Sequence, residues 1–225
     1  MRKKISLILK ILICSFAFLG IALAMVFAQQ DGYSHWSKRL LYFTQQSNLW
    51  IGAICLIIAT LQLTKSEKGA SSVLYLIRFI FTVSITVTGV VYCTLLAPFA
   101  DENFNAWSFG NVITHVIVPA LSIADFIIDD AQYNCSKKQV FLTTVPPLAY
   151  FIFATVLCVN MVDFGRGDPY PYFFLNYYSE AGLFGFVHGD LPQLGSVYWI
   201  ILFLGMVLGL GYLYRRIHVK AHNAK

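Results

Sequence analysis

Thr44 and His115 stand out chemically because each lies just inside a long apolar run. A hydroxyl becomes a competent nucleophile near pH 7 when an adjacent base takes its proton, and neutral imidazole is the usual base. Counted at about 1.5 Å per helical residue, both sit about 4.5 Å inside the same end of their runs. They therefore share a level. Ser47, Asn48 and Asn111 lie near it and could steady an oxyanion through hydroxyl or amide donors. Asn48, Asn111 or Asp163 could orient the base. The competing reading is an interhelical hydrogen bond without chemistry.

Arg78 and Asp125 are the other ionisable residues that need an account, since charges inside apolar spans are costly and are by default functional or paired. They fall about 7.5 and 4.5 Å from the opposite end of their runs, at matching depths. This spacing predicts an ion pair, with Arg78 snorkelling toward water as the alternative. Asp125 lies about 15 Å deeper than His115 along one helix, too far to orient it.

The elements that must position these residues are helices. Of the 225 residues 58% are hydrophobic and 12% charged, and the mean hydropathy is +0.66. Charge at half the usual level excludes an ordinary soluble domain. Six apolar blocks of roughly 17 to 24 residues each suffice to cross a bilayer core. The expectation is an all-α, polytopic membrane protein: a single integral membrane domain over 1–225, built as a six-transmembrane-helix bundle. The helices are expected at about 5–27, 41–63, 73–96, 112–128, 140–162 and 195–214, followed or joined by short connectors and one long aromatic outer loop, 163–194.

Orientation follows from Lys and Arg. One side holds 13 (Arg2, Lys3, Lys4, Lys10, Lys65, Lys68, Arg78, Lys137, Lys138, Arg215, Arg216, Lys220, Lys225) and the other 3 (Lys38, Arg39, Arg166). The excess predicts a plasma-membrane protein with amino and carboxy termini both cytoplasmic. It also explains the net charge of +5 without a nucleic-acid partner. The basic start and the small residues Ala22, Ala24 and Ala28 resemble a signal peptide, but the apolar run is longer than a signal core, so a retained helix is expected.

Polar and small residues should mark the bundle interior, because lipid tails are as apolar as leucine. Thr44, Asn48, Gly52, Cys55, Ala59 and Gln62 form one stripe; Arg78, Thr82, Thr86, Gly89 and Cys93 form a second; Asn111, His115, Ser122 and Asp125 form a third. The three should face one another. Gly205 and Gly209 form a small-xxx-small pair suited to helix packing or a homo-oligomer.

Other motifs are weak. Cys14, Cys55, Cys93, Cys135 and Cys158 are odd in number and lack metal spacing, and no metal or cofactor is expected. His218 and His222 are expected as surface histidines, and the His188/Asp190 spacing alone is poor evidence for a metal. Phosphate-loop, GxSxG and HExxH signatures are absent. Pro146 and Pro147 are the strong breakers within a span. The aromatic loop, with Tyr170, Tyr172, Phe173 and Phe174, suits either a membrane-interface anchor or a lid over the polar outer cavity.

The run Tyr42-Phe43-Thr44-Gln45-Gln46-Ser47-Asn48, His115 with Pro119 and Asp125, and Tyr170-Pro171-Tyr172-Phe173-Phe174-Leu175 together resemble the bacterial six-helix relatives of the androgen-induced-gene membrane proteins. Animal members are intramembrane threonine hydrolases that cleave fatty acid esters of hydroxy fatty acids. The resemblance implies Thr44 as nucleophile, His115 as base and membrane lipid as substrate. The alternatives are a small-solute carrier, disfavoured because the polar cluster is off-centre, and a non-enzymatic scaffold or lipid-binding subunit.

Overall fold

The computed structural model describes residues 1–64, 71–100, 105–129, 135–188 and 193–223, with side chains of the final helix described as far as Val219. Among the described residues six helices are long and apolar enough to cross a membrane: α1 Arg2–Val26, α2 Phe43–Leu63, α3 Ser72–Leu96, α4 Phe109–Ile128, α5 Lys137–Val159 and α6 Ser196–Asn223. Helices α1 to α4 pack as a four-helix group, and α5 and α6 close against α3. α3 is the most enclosed helix and α6 the least. Outward faces carry exposed apolar residues such as Ile8, Leu56, Ile152 and Ile201. Ile13, Ile51, Ile58 and Ile85 fill the centre of the four-helix group.

Several boundaries differ from the sequence expectation for identifiable reasons. α5 begins at Lys137 rather than near 140 because Ser136 and Gln139 form a reciprocal capping box. Pro146 and Pro147 do not break it; a 3-10 turn, Phe141–Thr144, absorbs their missing amides and places them in the first turn of the following α-helical segment. The chain leaves α5 through Met161 in a left-handed conformation, φ 53°. α6 runs well past 214, where Arg215 Nε donates to the Cys135 carbonyl at 2.8 Å. That extension corrects the surface reading of His218, which is half-buried with its ring 5.8 Å from Phe126. The side chain of His222 lies outside the described residues, as do Lys65, Lys68, Asp101 and Asp190.

Two wide turns of π type interrupt α3 at Tyr92–Leu96 and α4 at Ile113–Ile117. Each shifts the helical register. The first turns Tyr92 inward and leaves Cys93 exposed, so Cys93 does not belong to the interior stripe expected of it. The second precedes Pro119, which lacks an amide. In it the Val118 amide bonds to Ile113 O, leaving the Thr114 carbonyl for another donor. α3 and α4 approach so closely here that a Cβ on Gly89 would lie 2.9 Å from the His115 carbonyl.

The segment between α5 and α6 folds over the end of the bundle that carries Thr44. Ser34 and Lys38 bind Asp163 across the two adjoining connectors. A short antiparallel pair, Phe186–Val187 with Gln193–Leu194, leads into α6.

Candidate active site at the head of the second helix

Thr44 occupies the first turn of α2, after Tyr42 in an extended conformation. Amides in a first turn have no preceding helical carbonyl to bond. Tyr42 is wedged edge-on between Tyr33 (5.7 Å), Phe164 (6.1 Å) and Tyr172 (5.6 Å), which fixes the entry into the helix. His115 comes from the π turn of α4. Thr44 Oγ1 lies 3.2 Å from His115 Nε2, and both residues are buried.

The rest of the hydrogen-bond network assigns the imidazole tautomer. His115 Nδ1 is 2.9 Å from the Asn111 carbonyl and 3.0 Å from Thr114 Oγ1. Thr114 spends its own proton on the Gly110 carbonyl at 3.0 Å. Both neighbours are then acceptors, so the proton sits on Nδ1 and the Nε2 lone pair faces the Thr44 hydroxyl. Tyr92 stacks on the ring at 3.6 Å and 20°, and donates its hydroxyl to the Ala106 carbonyl. The imidazole is held by its main chain and by an aromatic face.

The orienting partner is therefore the main-chain carbonyl of Asn111, not a side-chain amide or carboxylate. Asn111 Nδ2 turns away to Asn105 O at 3.1 Å. Asp163 accepts from the Gly165 and Gly167 amides at 2.6 and 2.9 Å. Asn48 donates to Thr44 O at 2.8 Å and Thr114 O at 3.1 Å. Ser47 pairs with Thr88 at 2.8 Å and reaches Thr44 O at 3.1 Å. Ser47, Asn48 and Asn111 brace the site, and their donors are committed elsewhere.

Two cavities meet at Thr44. One, of about 280 Å³, is the more polar, with Arg39, Gln45, Tyr92, Asn111, His115 and Arg166 in its wall. The other is smaller, about 50 Å³, and apolar, enclosed by Phe43, Val87, Val91, Tyr150, Phe151 and Phe203. Thr44, Leu96 and Tyr172 line both. Tyr172 thus flanks Thr44 on the wall that the two cavities share. Tyr172 was legible only as part of an aromatic-rich loop. Gln45 is nearly sealed, with Oε1 unpartnered among the described residues, and its only sequence signal was its position beside Thr44.

At the opposite end of the bundle, Arg78 Nη2 lies 2.6 Å from Asp125 Oδ2, and Arg78 Nη1 bonds to Asp129. Lys10, fully buried on α1, is 3.1 Å from both carboxylates, and Ser6 donates to Asp125 at 2.5 Å. The expected pair is part of a buried group that, among the described residues, joins two cations, Lys10 and Arg78, to two anions, Asp125 and Asp129. In the sequence Lys10 reads only as one more basic residue near the amino terminus.

His188 meets Phe186 edge-on at 4.5 Å. Among the described residues no three His, Cys, Asp or Glu side chains gather where a metal ion could bind. A Cβ at Gly205 or Gly209 would touch nothing within 4 Å, so that face is unpacked within the chain. No protein-family model, curated protein or solved structure matches this chain.

Proposed function

We propose that the chain is a multi-pass plasma-membrane protein with both termini cytoplasmic, related to the androgen-induced-gene proteins, and that it hydrolyses lipid esters at its outer end. The observation that carries the proposal is the Thr44 Oγ1 to His115 Nε2 contact of 3.2 Å on a wall shared by an apolar cavity and a more polar one. Six apolar helices and the 13 to 3 partition of basic residues support the membrane assignment.

In this reading the apolar cavity, about 50 Å³, takes the first carbons of the acyl chain and the alcohol half occupies the polar one. His115 Nε2 takes the Thr44 proton as Oγ1 bonds to the acyl carbon. Collapse of the tetrahedral intermediate breaks the bond to the alcohol oxygen, which receives the proton from Nε2. Water from the polar cavity then attacks the acyl-threonine with His115 as base, releasing the fatty acid and restoring the Thr44 hydroxyl. The unpacked Gly205/Gly209 face favours self-association without entering the chemistry.

Purified protein treated with a long-chain fluorophosphonate and a panel of lipid esters tests the proposal. Wild type should be labelled and active. Thr44→Ala should lose both, Thr44→Ser should keep part, and His115→Ala should fall by about 100- to 10,000-fold. A folded wild type that neither labels nor cleaves any ester returns Thr44 and His115 to an interhelical hydrogen bond.

A further inference from the structure

Acyl transfer requires a donor for the oxyanion that forms as the nucleophile attacks. Ser47, Asn48 and Asn111 do not supply it: both bonds from Asn48 Nδ2 go to carbonyls, Asn111 Nδ2 goes to Asn105, and Ser47 is shared between Thr88 and Thr44 O. Tyr172 is placed differently. Its side chain comes from the connector between α5 and α6 and, like Thr44, lines both cavities.

The ring beside Thr44 is fixed in place by its aromatic neighbours. The ring is clamped by Phe174, stacked at 4.9 Å and 15°, and by Tyr42, edge-on at 5.6 Å and 84°. Phe174 in turn packs on Phe203 of α6 at 4.7 Å. Leu175 N closes a turn on Tyr172 O at 2.9 Å. Burial pushes the phenol up to about 12, so it stays protonated at neutral pH and acts as a donor.

We infer that Tyr172 is a catalytic residue whose hydroxyl holds the acyl oxyanion formed when Thr44 attacks the ester. The inference rests on the Thr44/His115 reading. As Oγ1 bonds to the acyl carbon, the carbonyl π electrons move to oxygen and the Tyr172 O–H donates to that oxygen without transferring its proton. The interaction is stronger to an oxyanion than to a ground-state carbonyl, so it accelerates turnover more than it improves binding.

Tyr172→Phe keeps the ring and removes the donor. Turnover should fall by about 100- to 1,000-fold with KM little changed. A trifluoromethyl ketone with a long acyl chain, which forms an oxyanionic adduct with the nucleophile, should lose affinity by a similar factor, while an unreactive amide of the same chain should bind as before. Wild-type turnover and ketone affinity in Tyr172→Phe would overturn the role of Tyr172 and leave Thr44 and His115 standing. An inactive, unlabelled wild type would overturn both. If Tyr172→Phe unfolds, 3-fluorotyrosine at 172 keeps the packing and makes the phenol a stronger donor; tighter ketone binding supports the role and unchanged binding overturns it.

Discussion

Asn48 on α2 donates its side-chain amide to the Thr114 carbonyl on α4 at 3.1 Å while also bonding to Thr44 O at 2.8 Å, tying the helix of the hydroxyl to the helix of the imidazole. The carbonyl it satisfies is available because the π turn sends the Val118 amide to Ile113. Asn48→Ala should therefore cost about 1–3 kcal/mol, the usual penalty for stranding a buried polar group. Thermal unfolding in detergent checks this. Asn48→Asp, which sets an acceptor against two carbonyls, should be worse.

The charge group at the other end gives a double-mutant signature. Arg78→Ala or Asp125→Ala alone leaves an unbalanced buried charge and should cost about 3–5 kcal/mol. Removing both leaves Lys10 facing Asp129, a neutral remainder. The double variant should lose less than the sum, with a coupling of about 0.5–3 kcal/mol by chemical or thermal unfolding. Simple additivity would show that the two side chains do not interact.

Asp163 makes the outer connector acid-sensitive. Burial raises its carboxyl, but the Gly165 and Gly167 amides and the Ser34 hydroxyl outweigh burial and hold it below the usual aspartate value. A lowered folded value means the stabilisation is complete above the unfolded value of about 3.9 and is lost as pH falls through the folded one. Protease cleavage between 160 and 195 should increase only below about pH 4. Asp163→Asn should make cleavage nearly independent of pH in that range.

Topology has a direct check. Reporters fused at Lys68, Lys137 and the carboxy terminus should be active in the cytoplasm, and one at Asp101 outside, as the 13 to 3 partition requires. An external carboxy terminus would exclude the six-span arrangement.

Hydropathy located the six helices because an apolar run of that length has few other uses, and counting residues from helix ends put Thr44 and His115 at one level, where they touch. What the sequence concealed were shifts of one residue. Pro119 hinted at irregularity in α4 but not that a π turn would free Thr114 O for Asn48. Nothing in Tyr92-Cys93 foretold which would face inward. Lys10 and Ser6, four apart on α1, could have signalled a polar face, yet a lysine near a basic terminus is equally a topology charge. Tyr172 was hidden by its neighbours: in a segment dense in aromatic rings, only the folded chain selects the phenol that lines both cavities with Thr44.

The buried contact between Lys10 and Asp125 joins positions 115 residues apart, and that separation sets an order of assembly. At typical synthesis rates of about 5–20 residues per second, Lys10 is made roughly 6–23 s before its carboxylate partners exist. Until then the amino-terminal helix must keep its ammonium at a wet boundary. Arrival of the fourth helix lets Lys10, Arg78, Asp125 and Asp129 neutralise one another in a single docking event, so nascent chains truncated before Asp125 should hold their first helix loosely and longer ones should lock it.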